Sequence, residues 1–402
     1  MKIKVNTCVY DSDTISQDAI IKIKSSHLNH QKSEFDCKEL IAYSPFINSH
    51  DHLVGNWVPR AGTNNPYPTT DIWVEEMKQS ESYLERNRVW FNDGKFDLTK
   101  GNANLLTSLG IYKNIFSGCS TIQDHAPNQK DEYYERFPIK VIKKYKQCHS
   151  LSMGNWWGGK SAVEELKATK GKMPFILHLA EGTNEKARSA FVELEKLNLL
   201  QPNTLIIHGI ALTKEDIKKC SEIGTSICCC PESNLFLIGK TIDIRTCFEF
   251  NVNLVLGTDS TMSGSSNILS EIKIFKKQFP EIPMKKIFKL FTSNAQKALF
   301  LPDSYGKLNN ETSHVLLIKK KNEDPFDNLL ETEMEDIELL LHQGSPIYGN
   351  QDFLNAFDIK LENYFFFELG KTKKFVIGHP EKITQEIDSI LGYHKDFPYL
   401  PF

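Results

Sequence analysis

No basic excess marks this sequence: 48 lysines and arginines stand against 51 aspartates and glutamates, a formal net charge of −3 over 402 residues. A chain that binds nucleic acid or an anionic membrane surface concentrates positive charge somewhere, and this one does not. Apolar runs of the roughly 18 to 20 residues that a membrane-spanning helix needs are missing as well. The opening stretch MKIKVNTCVYDSD lacks the apolar core of a secretory signal, so a soluble, cytosolic chain is expected. Internal repeats, low-complexity segments, Gly/Ser linkers and a dinucleotide-binding GxGxxG are absent too.

What is present points to a folded enzyme-sized chain with a small-molecule partner. Hydrophobic residues make up 40% and aromatics 11%, enough for a large core, and the length suits one α/β barrel with an accessory domain or two to three smaller domains. Nine cysteines form an odd set without regular spacing, three of them consecutive at 228–230, so a disulfide framework is not expected and the thiols stay reduced. A His/Cys/Cys zinc deaminase site needs H-x-E followed by P-C-x-x-C, and Cys228-Cys229-Cys230-Pro231 has the wrong order. Neighbouring strand residues face opposite ways, so these three read as small packing residues.

Period-two alternation in MKIKVNTCVY and DAIIKIKSS makes residues 1–41 strand-rich, and the same signature returns in HVLLIKKK (314–321) and IELLLHQGSPIY (337–348). Together, 1–41 and 305–350 are expected to build one small composite β domain. Between them, over 42–304, apolar runs alternate with amphipathic helical stretches, the pattern of parallel βαβ units. SPFINSH, GCSTIQD, CHSLSMG, MPFILH, NTLIIHG, GTSICCC and VNLVLGTD make seven strands. FPIKVI (137–142) is the candidate eighth, although only about six residues separate it from the next run, fewer than a parallel crossover takes. Residues 351–402 read as a C-terminal extension with a closing helix in ITQEIDSILGY, Ile383, Ile387, Ile390 and Leu391 on one face.

Several of the central runs end in residues that bind metals or move protons: His50-Asp51-His52, His178 with Glu181 three further, His208 and Asp259. In a parallel β/α barrel all strand C-termini open on one face, which would gather these distant positions. Residues i and i+2 of a strand point the same way, so His50 and His52 can reach one ion. A third imidazole and a carboxylate from the other runs complete an N,N,N,O shell suited to Zn²⁺ or Fe²⁺. On simpler readings, Asp259 caps the following helix and Glu181 merely begins one.

In this order and setting, the motifs resemble those of the amidohydrolase superfamily, within it the branch of cytosine deaminase, guanine deaminase, the methylthioadenosine/S-adenosylhomocysteine deaminases and the chlorotriazine hydrolases. The resemblance implies a (β/α)₈ TIM-type barrel with a composite β domain. It puts the metal ligands on His50, His52, His178 and Asp259, the HxxE glutamate on Glu181 and a further catalytic histidine on His208. CPESNLFL (230–237) resembles the branch's substrate-side P-x-S-N loop, placing Pro231, Ser233 and Asn234 near the ligand. No counterpart of the metal-bridging lysine is evident, which favours one divalent ion, Zn²⁺ ahead of Fe²⁺. Dimers occur in these families, so a homodimer is compatible with the resemblance.

The chemistry expected is attack of metal-activated hydroxide on an amidine-like carbon of a purine, pyrimidine, pterin or related ring, with Glu181 carrying a proton to the ring nitrogen and leaving group. Asp259 would take the remaining proton and His208 stabilise developing charge. Hydrolysis of an amide, urea or carbon–halogen bond is the alternative at the same metal, and a non-catalytic scaffold the third reading. Trp57 and Arg60 after the HxH pair, and Trp156 in Trp156-Trp157-Gly158-Gly159, are candidate substrate contacts, and His125 a supporting residue behind the metal shell.

Overall fold

Along β1 (Lys2–Val9), Ile3 and Val5 are buried while Lys2 turns to solvent, the period expected of a strand with one packed face. β2 (Ile15–Ile23) repeats this with Ala19, Ile21 and Ile23 inward, and β3 (Glu34–Tyr43) follows. The computed structural model describes residues 1–29, 34–95, 97–154 and 159–402.

The central strands are short and largely buried on both faces, which is why they read as continuous apolar runs. They are β4 (Phe46–Asp51), β5 (Cys119–Asp124), β6 (Lys140–Val141), β7 (Lys146–Ser150), β8 (Phe175–Leu179), β9 (Thr204–His208), β10 (Ser226–Cys229) and β11 (Asn253–Leu256). All pair in parallel, β4-β5-β6 in one sheet and β11-β10-β9-β8-β7 in another. Just past β11 the main-chain N–H groups of Thr258 and Asp259 donate to His50 O at 3.0 and 3.1 Å, tying one sheet to the other. FPIKVI does supply an eighth strand, β6. Its short link to β7 needs no crossover helix, because the two are edge strands of different sheets and not ladder partners.

Amphipathic helices cover the parallel strands. Glu185–Lys196 buries Ala187, Phe191 and Leu194 at helical spacing, its first turn capped by the Asn184 side chain accepting from Ala187 N at 3.0 Å. Lys214–Ile223 starts with a Thr213/Asp216 capping box and stops at Gly224 in the left-handed region.

Six further strands close the chain: β12 (Glu311–Thr312), β13 (Val315–Lys319), β14 (Ile337–His342), β15 (Ser345–Asn350), β16 (Tyr364–Leu369) and β17 (Thr372–Ile377). With the first three they form a nine-stranded sheet ordered β12-β2-β1-β3-β13-β14-β15-β17-β16. The antiparallel β3–β13 pair joins the two ends of the chain. Alternation gives this sheet two packed faces: Leu316, Ile318 and Leu340 join the core of the parallel strands, whereas Val315, Leu317 and Leu339 pack with Ile3, Val5 and Ile21 on the other side. Residues 351–402 are therefore more than an extension, since β16 and β17 belong to this sheet; the three consecutive phenylalanines 365–367 hide the alternation that would have announced β16. The closing helix is Pro380–Leu391, with Ile387 and Leu391 buried against helices Glu81–Phe91 and Gly101–Ile115. Among the described residues no helix is long and apolar enough to cross a membrane.

Candidate active site

The strand-end residues meet. His50 closes β4 and its ring centroid lies 4.8 Å from that of His52, 4.9 Å from His178 and 5.8 Å from His208; His178 and His208 are 5.2 Å apart. The Asp259 Oδ1 atom is 3.8 Å from His50 Nε2 and 3.6 Å from His52 Nε2. Two overlapping triads of donor atoms result, His50/His52/Asp259 and His50/His178/His208, each with its atoms within 4.8 Å of one another. Both ring nitrogens of His50 are buried without a well-formed hydrogen bond. A buried, orphaned imidazole among other imidazoles and a carboxylate is costly by itself and fits a divalent cation.

The backbone works to present these groups. Ala180, His208 and Asp259 all have positive φ, +55°, +70° and +54°, a conformation that residues with a β-carbon rarely adopt and that marks functional sites. Gly257 lets β11 approach β4: a β-carbon there would sit 2.6 Å from His50 Cβ and 2.9 Å from His50 N.

A surrounding layer of hydrogen bonds orients the side chains. His178 Nδ1 faces His149 O at 2.8 Å and His208 Nδ1 faces Asn234 Oδ1 at 2.7 Å, so each ring carries its proton on Nδ1 and turns the Nε2 lone pair inward. Asp259 Oδ2 accepts from Ser233 Oγ at 2.7 Å and Ser263 Oγ at 3.1 Å, and Oδ1 accepts from Ser260 N. Lys113 is wholly buried; its Nζ donates to Asp51 Oδ1 at 3.1 Å, to Asn56 Oδ1 at 3.0 Å and to the Asp259 main-chain oxygen. Asp51 points away from the imidazoles, as alternation between His50 and His52 requires.

Burial depresses the basicity of the imidazoles: His52 falls to about 3, and His50, His178 and His208 are all lowered. Neutral imidazole is the form that ligates metal. Burial alone would raise the Asp259 carboxyl, but the neighbouring His52 and His208 and the Ser233 hydroxyl outweigh it and hold it well below the usual range. Glu181 goes the other way: burial raises it to about 7, only partly opposed by His178, and its Oε1 lies 3.5 Å from His208 Nε2. His52, His178, Glu181, His208 and Asp259 all line one cavity of about 500 Å³, walled further by Trp73, Met77, Tyr83, Arg86, Trp90 and His149.

Neither of the simpler readings holds. The helix after Asp259 begins at Ile268 under an Asn267 cap, and the helix after Glu181 begins at Glu185, so neither carboxylate is spent on a helix end. Four expected substrate contacts are corrected. Ser233 and Asn234 lie not in a loop but in the first turn of helix Pro231–Ile238, fully buried, where they brace Asp259 and His208 instead of lining the cavity. Trp57 is buried, donating Nε1–H to Glu85 Oε2 at 2.7 Å and packing edge-on against Phe397. Arg60 is tied to Glu232 and lies over the Phe236 ring, outside the cavity wall. Trp156 falls outside the described residues. His125 is buried 4.4 Å from His178 and 5.3 Å from His50 by ring centroids. His149 on β7 escaped sequence reasoning although it too is a histidine near a strand end; with His125 and His178 it forms a third triad. Lys113 and Arg86 sit inside amphipathic helices, where nothing local separates them from solvated charges. All nine cysteines are free and buried.

The amidohydrolase family model matches residues 158–312. Over 140 residues the chain is 34% identical to a 5-methylthioadenosine/S-adenosylhomocysteine deaminase of Pyrococcus abyssi, a match spanning 31% of this chain and 33% of that protein. A protein of the same name from Pyrococcus horikoshii aligns over 87% of this chain and 93% of its own length at 22% identity. Among solved structures, an adenosine deaminase from Xanthomonas campestris with bound zinc shares the fold, with a TM-score of 0.66 at 16% identity over 86% of this chain and 92% of that one.

Proposed function

We propose that this chain is a metal-dependent hydrolase that releases ammonia from an aminated nitrogen heterocycle, a purine, pyrimidine, pterin or related amidine. One observation carries the reading: a buried glutamate poised near neutrality, Glu181, shares a cavity with four neutral imidazoles and an ionised aspartate. The deaminases it resembles in sequence support the same reaction class. The eight parallel strands over 42–304 are read as a (β/α)₈ barrel, and 1–41 with 305–350 as the composite β domain, which β16 and β17 extend.

His50, His52, His178 and Asp259 are the residues that would hold one divalent cation. Zinc is favoured over iron because the Xanthomonas deaminase of the same fold carries it. When bound, such a cation supplies hydroxide at neutral pH by lowering the pKa of water from 15.7 to about 7. The protein's own groups do the rest. Glu181, near 7, holds or releases a proton at working pH and passes it to the ring nitrogen beside the amino-bearing carbon, which makes that carbon electrophilic. Asp259, ionised before the reaction, aligns the nucleophile and transiently receives its remaining proton. His208, fixed by Asn234, stabilises the charge that develops on attack. The proton that Asp259 took up then passes, by way of the Glu181 carboxylate left after protonation of the ring, to the departing amine, which leaves as ammonia.

Zinc-loaded protein is expected to release ammonia from a member of a panel of purines, pyrimidines, pterins and guanidines. Glu181→Gln is expected to lower turnover about 10²- to 10⁴-fold while elemental analysis finds the metal retained. Wild-type turnover in that variant refutes the proton-shuttle role. Release of a carboxylate or halide without ammonia refutes deamination.

A further inference from the structure

Arg86 is the anomaly of the cavity wall. Its guanidinium is buried, yet among the described residues no carboxylate lies within ion-pair distance of it. Arg60 and Arg245, by contrast, are exposed and paired with Glu232 and Glu281. The contacts Arg86 does make orient it without neutralising it. Asn87 Oδ1 accepts from Nε at 3.3 Å and Nη2 at 2.9 Å, Met262 Sδ lies 3.8 Å from Nη1, and Cζ sits 4.6 Å over the Tyr83 ring and 5.4 Å over that of Trp90. The Tyr83 hydroxyl also accepts from the guanidinium, but it is neutral, so among the described residues none of the acceptors around this five-donor fork carries a negative charge. Beside it the indole Nε1–H of Trp90 is also buried without a partner. Both residues line the same cavity as Glu181, His208 and Asp259.

Leaving a cation without a counter-charge and, beside it, a strong donor without a partner in a low-dielectric wall is expensive, and an anion with oxygen acceptors answers both. A planar fork favours carboxylate or phosphate, which it can grip with two parallel hydrogen bonds. We infer that the substrate carries, besides the amino-bearing ring held at the strand ends, an oxyanion substituent that Arg86 and the Trp90 N–H receive. This rests on the deaminase reading and narrows its substrate class from aminated heterocycles at large to those bearing a carboxylate or phosphate. The cavity volume of about 500 Å³ accommodates a ring together with such a substituent.

The test uses zinc-loaded enzyme and matched pairs: adenosine 5′-monophosphate against adenosine, and pterin-6-carboxylate against pterin. The anionic member of at least one pair is expected to have a kcat/KM about 30-fold or more above its neutral twin, expressed in KM. Whichever pair shows the preference identifies phosphate or carboxylate as the group. In Arg86→Met that ratio is expected to collapse to within about threefold of one, and Arg86→Lys to keep part of it. Equal handling of both members in both pairs by the wild type overturns the inference, as does an Arg86→Met variant that loses the same factor for both members; the wild-type comparison decides even if that variant does not fold. Should no compound release ammonia, the deaminase reading fails by itself. Equilibrium dialysis of the same pairs then decides the anion site separately: selective retention of the anionic members upholds it, and equal binding overturns it.

Discussion

Glu271 illustrates what a single buried carboxyl does in this protein. It lies in helix Ile268–Gln278, accepts hydrogen bonds from Glu232 N at 3.0 Å and from the Ser265 hydroxyl, and among the described residues has no ion-pair partner. Burial raises it from 4.5 to about 8. The folded chain thus keeps a proton that the unfolded chain gives up, so this group's contribution to stability is full below pH 4.5 and is lost progressively as pH climbs to about 8. Measured by urea unfolding at a series of pH values, the stability difference between wild type and Glu271→Gln is expected to fall by on the order of a few kcal/mol across that window and then level off. A flat difference shows that the carboxyl does not carry the charge linkage. Lys113 is the opposite case, a buried cation whose three oxygen partners all belong to the loops around His50 and Asp259.

At the scale of elements, the site depends on how closely β11 approaches β4. The glycine of Gly257-Thr258-Asp259 is there because a β-carbon would collide with His50 Cβ at 2.6 Å and with Cys228 Sγ at 2.9 Å. Gly257→Ala is expected to move His50 by a fraction of an ångström to an ångström and to cost about 100-fold in kcat/KM together with zinc stoichiometry, while circular dichroism stays native. Wild-type kinetics and metal content in that variant show the approach to be dispensable. Helix Pro231–Ile238 is the second element in this role. Proline at its first turn sets its direction, and Ser233 and Asn234 on that turn reach Asp259 and His208.

Across the whole molecule, the C-terminal segment returns to the stretch that follows β4 and its two neighbouring histidines, His50 and His52. Tyr399 Oη donates to Asn56 O at 2.8 Å, Phe397 packs 5.2 Å from Trp57, and Lys395 pairs with Glu85. Phe397→Ala is expected to destabilise the fold by about 3–5 kcal/mol in denaturant unfolding, because the ring is buried and the surrounding helices cannot collapse onto the space it leaves. A loss below about 1 kcal/mol shows the tail to be only loosely attached. This long return is also where sequence reasoning stops. Strand periodicity is local, so the amino-acid sequence alone determined that His50, His178, His208 and Asp259 lie at or just past the C-terminal ends of β4, β8, β9 and β11, that His50 and His52 share a face, and that strands from both ends of the chain are of one kind. Which side chains then enclose the cavity is set by pairings across as many as three hundred residues, which no local pattern encodes. Only the tertiary structure put Trp57, Arg60, Ser233 and Asn234 outside the cavity wall, because each finds its partner elsewhere. Only it set Arg86 and Trp90, ordinary residues of an amphipathic helix, in the cavity wall with, among the described residues, no carboxylate beside the guanidinium and no partner for the indole N–H.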